Sequence, residues 1–570
     1  MMEVEGSQGP TPCTRLSVDH ESLQQPSDPR KKKKKGGWIT FPFLAVAILG
    51  LGVATGGVVS NLVVYLIKEY NVPSVDAAQI SNIVSGCLSV VPVAGAIVAD
   101  AFFGCYPVVA VSMVFSVLAC VMFTLTASLR DLRPAACQPG SGPREPATAS
   151  QMAALYAGIF LMCVSVAGSR FNLATLGADQ FDAAAARDVF FNWFFILLYT
   201  SSVLASTVIV YVQDSVSWAL GFGISCAAGV IGLASLLLGS GCYRRPAVRG
   251  SPFTGLAKVA VAAARKRKLN NLTTSGQLKY YHGARSGDGD GKTRDTELSP
   301  SDSFSFLNRA AVITDGEVTS PDGQVVWPWC LCTVQQVEDF KSVLRILPLW
   351  SAAILLSVSI GAQMNFSILQ ALVMNRAVGR FTVPAASIFV SCLIAVVVSL
   401  GLLDRVLLPL WRRLTGHNPT PLQRIGAGHA LTVVSMAASA VIERRRMATV
   451  RAHGAEGDPA WVSPMSAMWL VLPFALSGAG EALHFPGQVT LYYQELPASL
   501  KNTAAGMVAM TTALGYYLST ALIGVVRRVT AWLPDNTNAS KMDNLYWLLT
   551  VLVAINFTYY LLCARLYKYH

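Results

Sequence analysis

Arg170 lies in a run from Met152 to Leu176 that carries no other charge. A cation held in such a run costs at least a few kcal/mol in a bilayer, and residues of this kind mark substrate or ion paths. Its guanidinium offers a planar fork of donors that suits a carboxylate or a small planar anion. The competing role is snorkelling from a helix end. Against it, about six uncharged residues follow before the polar turn Gly177-Ala178-Asp179-Gln180, which places Arg170 about two turns inside. Glu481 stands deep in another apolar run, after Ser477-Gly-Ala-Gly480, and is the carboxylate expected to partner Arg170 in a site or in a structural ion pair. Asp100, within Gly95–Gly104, sits at a helix–loop junction where a carboxylate caps a neighbouring helix N-terminus. Asp100 and Asp179 are therefore expected to be gating or structural acids. Asn61 and Tyr65 are four residues apart and share one helix face. They are candidates for the substrate path, with helix–helix hydrogen bonding as the favoured role. His429 is isolated in an apolar run, and His484 follows Glu481 by three residues; packing is the expected role of both.

No catalytic constellation accompanies these residues. There is no Gly-rich phosphate loop with a Lys and no ATP-coupling motif, so neither an enzyme nor a nucleotide-driven pump is indicated. The 12 cysteines are scattered, and Cys330-x-Cys332 alone is too little for a metal site. Nothing calls for a cofactor.

The elements that position these residues are apolar spans. Hydrophobic residues make up 53% of the 570 and charged ones only 13%, about half the usual charged share of a soluble domain. About twelve runs reach the roughly 20 residues that cross a bilayer. The first six are Phe41–Ile67, Ala77–Ala99, Val108–Ser128, Met152–Leu176, Phe190–Val212 and Val216–Leu238. The second six are Leu344–Leu372, Val383–Leu403, Ile425–Ile442, Met468–Leu491, Ala504–Val525 and Leu545–Leu562. The chain thus divides into a tail (1–37), a six-helix bundle (38–241), a polar linker (242–337) and a second six-helix bundle (338–570). Disorder is expected around Ser286–Asp302.

The net charge of +12 is concentrated in Arg30–Lys35, Arg244–Arg249 and Arg265–Lys268, which flank apolar spans. That pattern is an orientation signal and puts tail, linker and both termini on the cytosolic side; it is not a nucleic-acid surface. Arg444–Arg446 would then lie outside, against the rule. Asn538-Ala-Ser is a sequon in the last external loop. Two six-helix halves joined by a long linker make an all-α membrane protein with the layout of the major facilitator fold, which binds its substrate near the midplane and works by alternating access.

Several blocks, in order from Gly36 onward, resemble the proton-coupled oligopeptide transporter family and, within it, the plant nitrate/peptide branch. They are Gly95–Gly104, Gly177-Ala-Asp-Gln-Phe-Asp182, Phe190-Phe-Asn-Trp-Phe194, Cys332-Thr-Val-Gln-Gln-Val-Glu338, Leu347-Pro-Leu-Trp350, Phe381-Thr-Val-Pro-Ala-Ala-Ser387 and Gly478-Ala-Gly-Glu481. The resemblance implies a basic residue on helix 4, kept as Arg170, and an acid on helix 10, kept as Glu481. It also implies a Glu-x-x-Glu-Arg/Lys proton motif on helix 1, whose positions are here Ile48, Leu49, Gly50, Leu51 and Gly52. Where some nitrate-carrying members place a histidine on helix 7, this chain reads Ser357-Val-Ser359-Ile360-Gly361-Ala-Gln363, making Ser359 and Gln363 the residues available there. The family's Asn and Gly after Phe-Asn-Trp become Tyr199 and Ser201, and a basic residue after Gly104 becomes Cys105.

The erased helix-1 motif resembles the excretion-type, low-affinity nitrate transporters of this branch. It implies a plasma-membrane carrier of nitrate in which Arg170, relieved of the helix-1 acids, attracts the anion. Facilitated diffusion down the nitrate gradient and membrane potential is the favoured energetics. The other readings are a different anion (chloride, an organic acid or a hormone), a peptide, or a sensor that binds an anion without moving it. A regulatory kinase acting on the linker is the further expected partner.

Overall fold

Three helices open on the same signal. Thr148, Thr333 and Thr420 each accept a hydrogen bond from the backbone N–H three residues on, while Gln151, Gln336 and Gln423 reach back to the cap. These capping boxes satisfy backbone donors that the bilayer interface otherwise leaves bare.

The computed structural model describes residues 36–134, 146–245, 252–267, 280–282, 300–314, 318–319, 324–325, 327, 329–417, 419–496 and 503–567. Arg30–Lys35 and all but the last three residues of Ser286–Asp302 lie outside them.

The first half comprises α1 (Phe41–Val59), α2 (Ser74–Val98), α3 (Cys105–Ser128), α4 (Ala149–Ser169), α5 (Ala184–Leu204) and α6 (Trp218–Leu238). The second comprises α7 (Val334–Leu372), α8 (Val390–Leu402), α9 (Pro421–Ala452), α10 (Val471–Glu495), α11 (Thr503–Val529) and α12 (Met542–Leu566). Within the halves α1 packs on α5 and α6, α3 on α4 and α6, α9 on α10 and α12, and α7 on α11. Across them α2 meets α7 and α11, and α5 meets α8. Eleven of the described helices are long and apolar enough to cross a membrane. α10 falls short on composition only: it has 25 residues, about 37 Å at helical rise, but carries Glu481, His484 and Gln488.

Helix association in lipid depends on close backbone approach at small residues. Gly95 shows this, since a Cβ there would stand 1.8 Å from the Ala167 carbonyl oxygen.

Several expected spans are broken or longer. The first breaks at Ser60-Asn61 and resumes as Leu62–Glu69. The fourth ends at Ser169 and resumes as Asn172–Ala178, with Arg170 at the break. There Asn172 Nδ2 donates to the Gly168 and Gly95 carbonyls, at 2.9 and 3.2 Å, so that a side chain satisfies backbone the break frees. Wide π turns, Ala99–Phe103, Ala205–Ile209 and Leu403–Leu407, follow α2, α5 and α8. α7 starts ten residues before the expected Leu344 and carries the linker, whose helix Pro252–Arg265 and 3₁₀ segment Ser305–Ala311 dock on its first turns. Lys266 Nζ donates to the Val312 carbonyl at 2.7 Å, and Val334 N to the Tyr281 carbonyl at 3.0 Å.

α9 runs ten residues past Ile442. That explains the anomaly at Arg444–Arg446. Only Arg444 and Arg445 are exposed; Arg446 and Glu443 are both 0% exposed and form a bidentate pair, at 2.9 and 2.7 Å. The third basic residue is therefore internal to the protein rather than part of an external charge cluster.

Candidate substrate site between the two halves

Arg170 sits where α4 breaks, with its backbone N–H bonded to the Val166 carbonyl. Its side chain is exposed, although the helix around it is buried. A charged side chain that keeps solvent access within a bundle is placed to meet a small ion there. Its described hydrogen bond is Nη1 to the Leu88 carbonyl of α2, at 3.4 Å. Most of its donor fork is left open.

Glu481, half-buried on α10, accepts from Ser477 Oγ at 3.4 Å and from Cys392 Sγ on α8 at 3.8 Å. Among the described residues neither Arg170 nor Glu481 has an ion pair. The expected direct Arg170–Glu481 pair is not made in this conformation: the acid is satisfied from α8 and its own helix, and the guanidinium leans on α2. Tyr516 of α11 interacts electrostatically with both. Tyr199 of α5 faces Glu481 from the first half. Tyr516, Cys392 and Ser477 escaped sequence reasoning, because a phenol, a thiol or a hydroxyl in an apolar run is unremarkable until its neighbour is known. Tyr199 had a signal, as a departure from the family pattern.

The other anticipated residues lie in helix contacts. Asn61 Nδ2 donates to Gln213 Oε1 at 3.2 Å, and Gln213 Nε2 to the Gly57 carbonyl at 2.7 Å, closing the break in the first span. Tyr65 is 3.0 Å from Thr126 Oγ1 and is packed among Tyr70, Phe123, Trp218 and Phe222. Ser359 Oγ donates to its own helix at Leu356. Gln363 Nε2 bridges Ser435 and Ser439, at 2.9 and 3.1 Å, tying α7 to α9. All four are buried. Asp100 is half-buried in the π turn after α2, and Asp179 ends Asn172–Ala178.

The motif around Asp179 forms a clasp at the linker end of the bundle. Gln180 accepts Arg244 N at 2.8 Å on its side chain and Gly37 N at 2.8 Å on its carbonyl, and Asp182 pairs with Arg244 at 2.6 Å. The Arg244 guanidinium holds the Asp182 carboxyl below the usual carboxylate range.

Polar contacts between the halves gather at the opposite end. Arg527 of α11 pairs with Asp76 of α2, and Arg376, after α7, with Asp214 at 3.4 Å; Asp214 also holds Lys68. Asn365 Nδ2 donates to Asn82 Oδ1 at 2.7 Å, Ser387 Oγ to the Ser206 carbonyl at 2.7 Å, and Phe381 stacks on Tyr211. The bundle is thus closed at the end opposite the linker.

The sequon expectation is corrected here. Asn538 is 0% exposed, its Nδ2 donates to the Asp458 and Trp461 carbonyls at 3.0 and 2.9 Å, and its Oδ1 accepts from Arg446 at 2.9 Å. Folded, that nitrogen is inaccessible to a glycan transferase.

Comparison with known proteins bears on this arrangement. The family description "PTR2: POT family" matches residues 106–540. Among relatives, Protein NRT1/ PTR FAMILY 2.7 of Arabidopsis thaliana is 43% identical over 95% of both chains. Protein NRT1/ PTR FAMILY 2.3 of the same plant is 42% identical over 97% of this chain and 96% of its own. A crystal structure of an auto-inhibited POT family peptide transporter superposes with a TM-score of 0.69 at 20% identity, covering 93% of this chain and 98% of that one. A peptide transporter POT crystallised in complex with sulfate gives 0.61 at 13%, covering 93% and 95%. With the twelve-helix fold and its ordered motifs already in place, the chain belongs to the POT family of membrane transporters.

Proposed function

We propose that this chain carries nitrate across the plasma membrane at low affinity by alternating access, with both termini and the 242–337 linker on the cytosolic side. The observation that supports this above others is Arg170: an exposed guanidinium at a helix break inside the bundle, with no ion pair among the described residues. Its planar fork matches two oxygens of a trigonal oxyanion. A peptide would need a free carboxylate for its amino terminus, and Glu481 is engaged by Ser477 and Cys392. Asn61, Tyr65, Ser359 and Gln363 act by holding the helices that frame the site, and Asp100 and Asp179 act as gate acids at the linker end. With Ile48 and Leu51 buried where the family's acids would stand, the driving force is the nitrate gradient and the membrane potential.

The test is nitrate uptake in a heterologous cell. Arg170→Ala should abolish it at unchanged surface expression, and normal uptake would sink the assignment. Nitrate binding without flux would make the chain a sensor. Competition by chloride, organic acids or peptides against labelled nitrate identifies a different cargo.

A further inference from the structure

His429 on α9 and His484 on α10 are 0% and 1% exposed. Their ring centres are 5.1 Å apart, with planes at 78°. None of their four ring nitrogens has a hydrogen-bond partner. A neutral imidazole carries one N–H and one lone pair, so two donors and two acceptors are unmet in the interior of the second half. Buried polar groups are seldom left so. The near-perpendicular rings are in contact at this spacing, so a small reorientation brings a nitrogen of one within hydrogen-bond distance of a nitrogen of the other. A half-turn of either ring exchanges its nitrogen and carbon edges within the same space and sets one nitrogen toward its neighbour.

We infer that His429 and His484 form a shared proton-binding site: one N–H···N bond joins the rings, and a free ring nitrogen accepts one proton from a hydronium ion, releasing water, to give an imidazole–imidazolium pair. No other bond changes. The inference rests on the transporter reading above and adds a site that gates the cycle by pH without making the proton a driving ion.

The surroundings fit a single added charge. Tyr560 of α12 stacks on His429 at 4.6 Å and 16°, and Phe557 lies parallel at 6.4 Å; aromatic faces favour a cation above them. Among the described residues, the electrostatic interaction found at either ring is with the other histidine. Titratable or charged groups on the helices around the pair include Glu481, one turn before His484 on α10, Arg424 on α9, Cys392 on α8, Tyr516 on α11, Tyr559 and Cys563 on α12, and the Tyr560 phenol, which donates to the Leu422 carbonyl. None of them forms a hydrogen bond with either ring. No carboxylate balances the pair, so the state closed opposite the linker is the proton-free one. Proton uptake favours leaving it, and acid should speed the cycle.

Nitrate-evoked current recorded at mildly acid and mildly alkaline external pH tests this. Wild-type amplitude should rise toward acid pH by up to about tenfold per unit, the limit for one bound proton. The reversal potential should follow nitrate and not pH. His429→Gln, His484→Gln and the double variant should each flatten the amplitude profile to the same extent, because one shared proton is lost once. Unchanged pH ratios in the singles, or additive losses in the double, overturn the inference. If the wild type moves no nitrate, the substrate reading fails by itself. Purified protein labelled with ¹⁵N-histidine then decides the proton site: a titrating pair of ring signals lost in both single variants supports it, and its absence refutes it.

Discussion

Gly52 on α1 and Ser201 on α5 are packed in direct contact. A Cβ on Gly52 would stand 2.1 Å from Ser201 Oγ and 2.6 Å from its Cβ. By the family resemblance, position 52 corresponds to a basic residue and position 201 to a glycine. The two departures are one exchange of volume: with no side chain on α1, the space passes to a hydroxymethyl on α5, fully buried and bonded to the Leu198 carbonyl at 2.7 Å. Loss of the helix-1 charges is therefore built into the packing and does not leave an empty socket.

Gly52→Ala should destabilise the detergent-solubilised protein by about 1–3 kcal/mol, the range for overpacking. Gly52→Arg should fail to reach the surface. Adding Ser201→Gly should recover much of the loss in each case. Thermal unfolding and surface labelling read both; a Gly52→Ala variant as stable as wild type would mean that the contact is loose.

At the far end of the second half, Arg446 joins Glu443 to the loop after α11. It reaches Asn538 Oδ1 and the Thr537 carbonyl, and Gln370 donates to Glu443 at 2.7 Å. Removing one partner strands a buried charge at a cost of about 3–5 kcal/mol, whereas replacing both with apolar residues is often near neutral. Arg446→Met should thus be much less stable than Arg446→Met with Glu443→Leu. Equal losses in the two would show that the loop contacts, and not the ion pair, carry the energy. Glycosidase treatment should leave the chain's mobility at Asn538 unchanged, since its amide is spent on Asp458 and Trp461.

This cluster also shows what the sequence leaves unreadable. The spans follow from hydropathy and the three capping boxes from Thr-x-x-Gln, because both are local. Arg444–Arg446 looks like an external charge run until Asn538, 92 residues later, is folded against it. Asn538 in turn looks like a glycan acceptor until its three partners are known. Arg170 was legible as a charge in an apolar run, and so was Glu481. What surrounds them was not: Tyr516 comes from α11 and Leu88 from α2, and the Asn172 amide that closes the break at Ser169 also reaches the Gly95 carbonyl of α2. The clasp at Gln180 had a readable motif but no readable partner.

Asp214 ties Lys68 of its own half to Arg376 of the other, and these contacts help hold the bundle closed opposite the linker. Arg376→Ala and Asp214→Ala should each open that end more often. A cysteine introduced at Ser387, which now bonds Ser206, should then react faster with an impermeant thiol reagent added outside. A rate no different from that in the parent Ser387→Cys protein would exclude Arg376 and Asp214 as a latch.

Glu481 is the carboxylate found at the site among the described residues, and its two described hydrogen bonds come from neutral donors. Glu481→Gln keeps the size and an acceptor for Ser477 and Cys392 while removing the like charge that an entering anion meets. A like-charge term of about 1 kcal/mol corresponds to roughly fivefold in affinity. The apparent KM for nitrate should therefore fall by about that factor. If Glu481 instead releases Arg170 by moving toward it during the cycle, the maximal rate falls and KM does not improve. Uptake measured over a range of nitrate concentrations separates the two, and a higher KM in the variant would show that the acid helps to form the anion site.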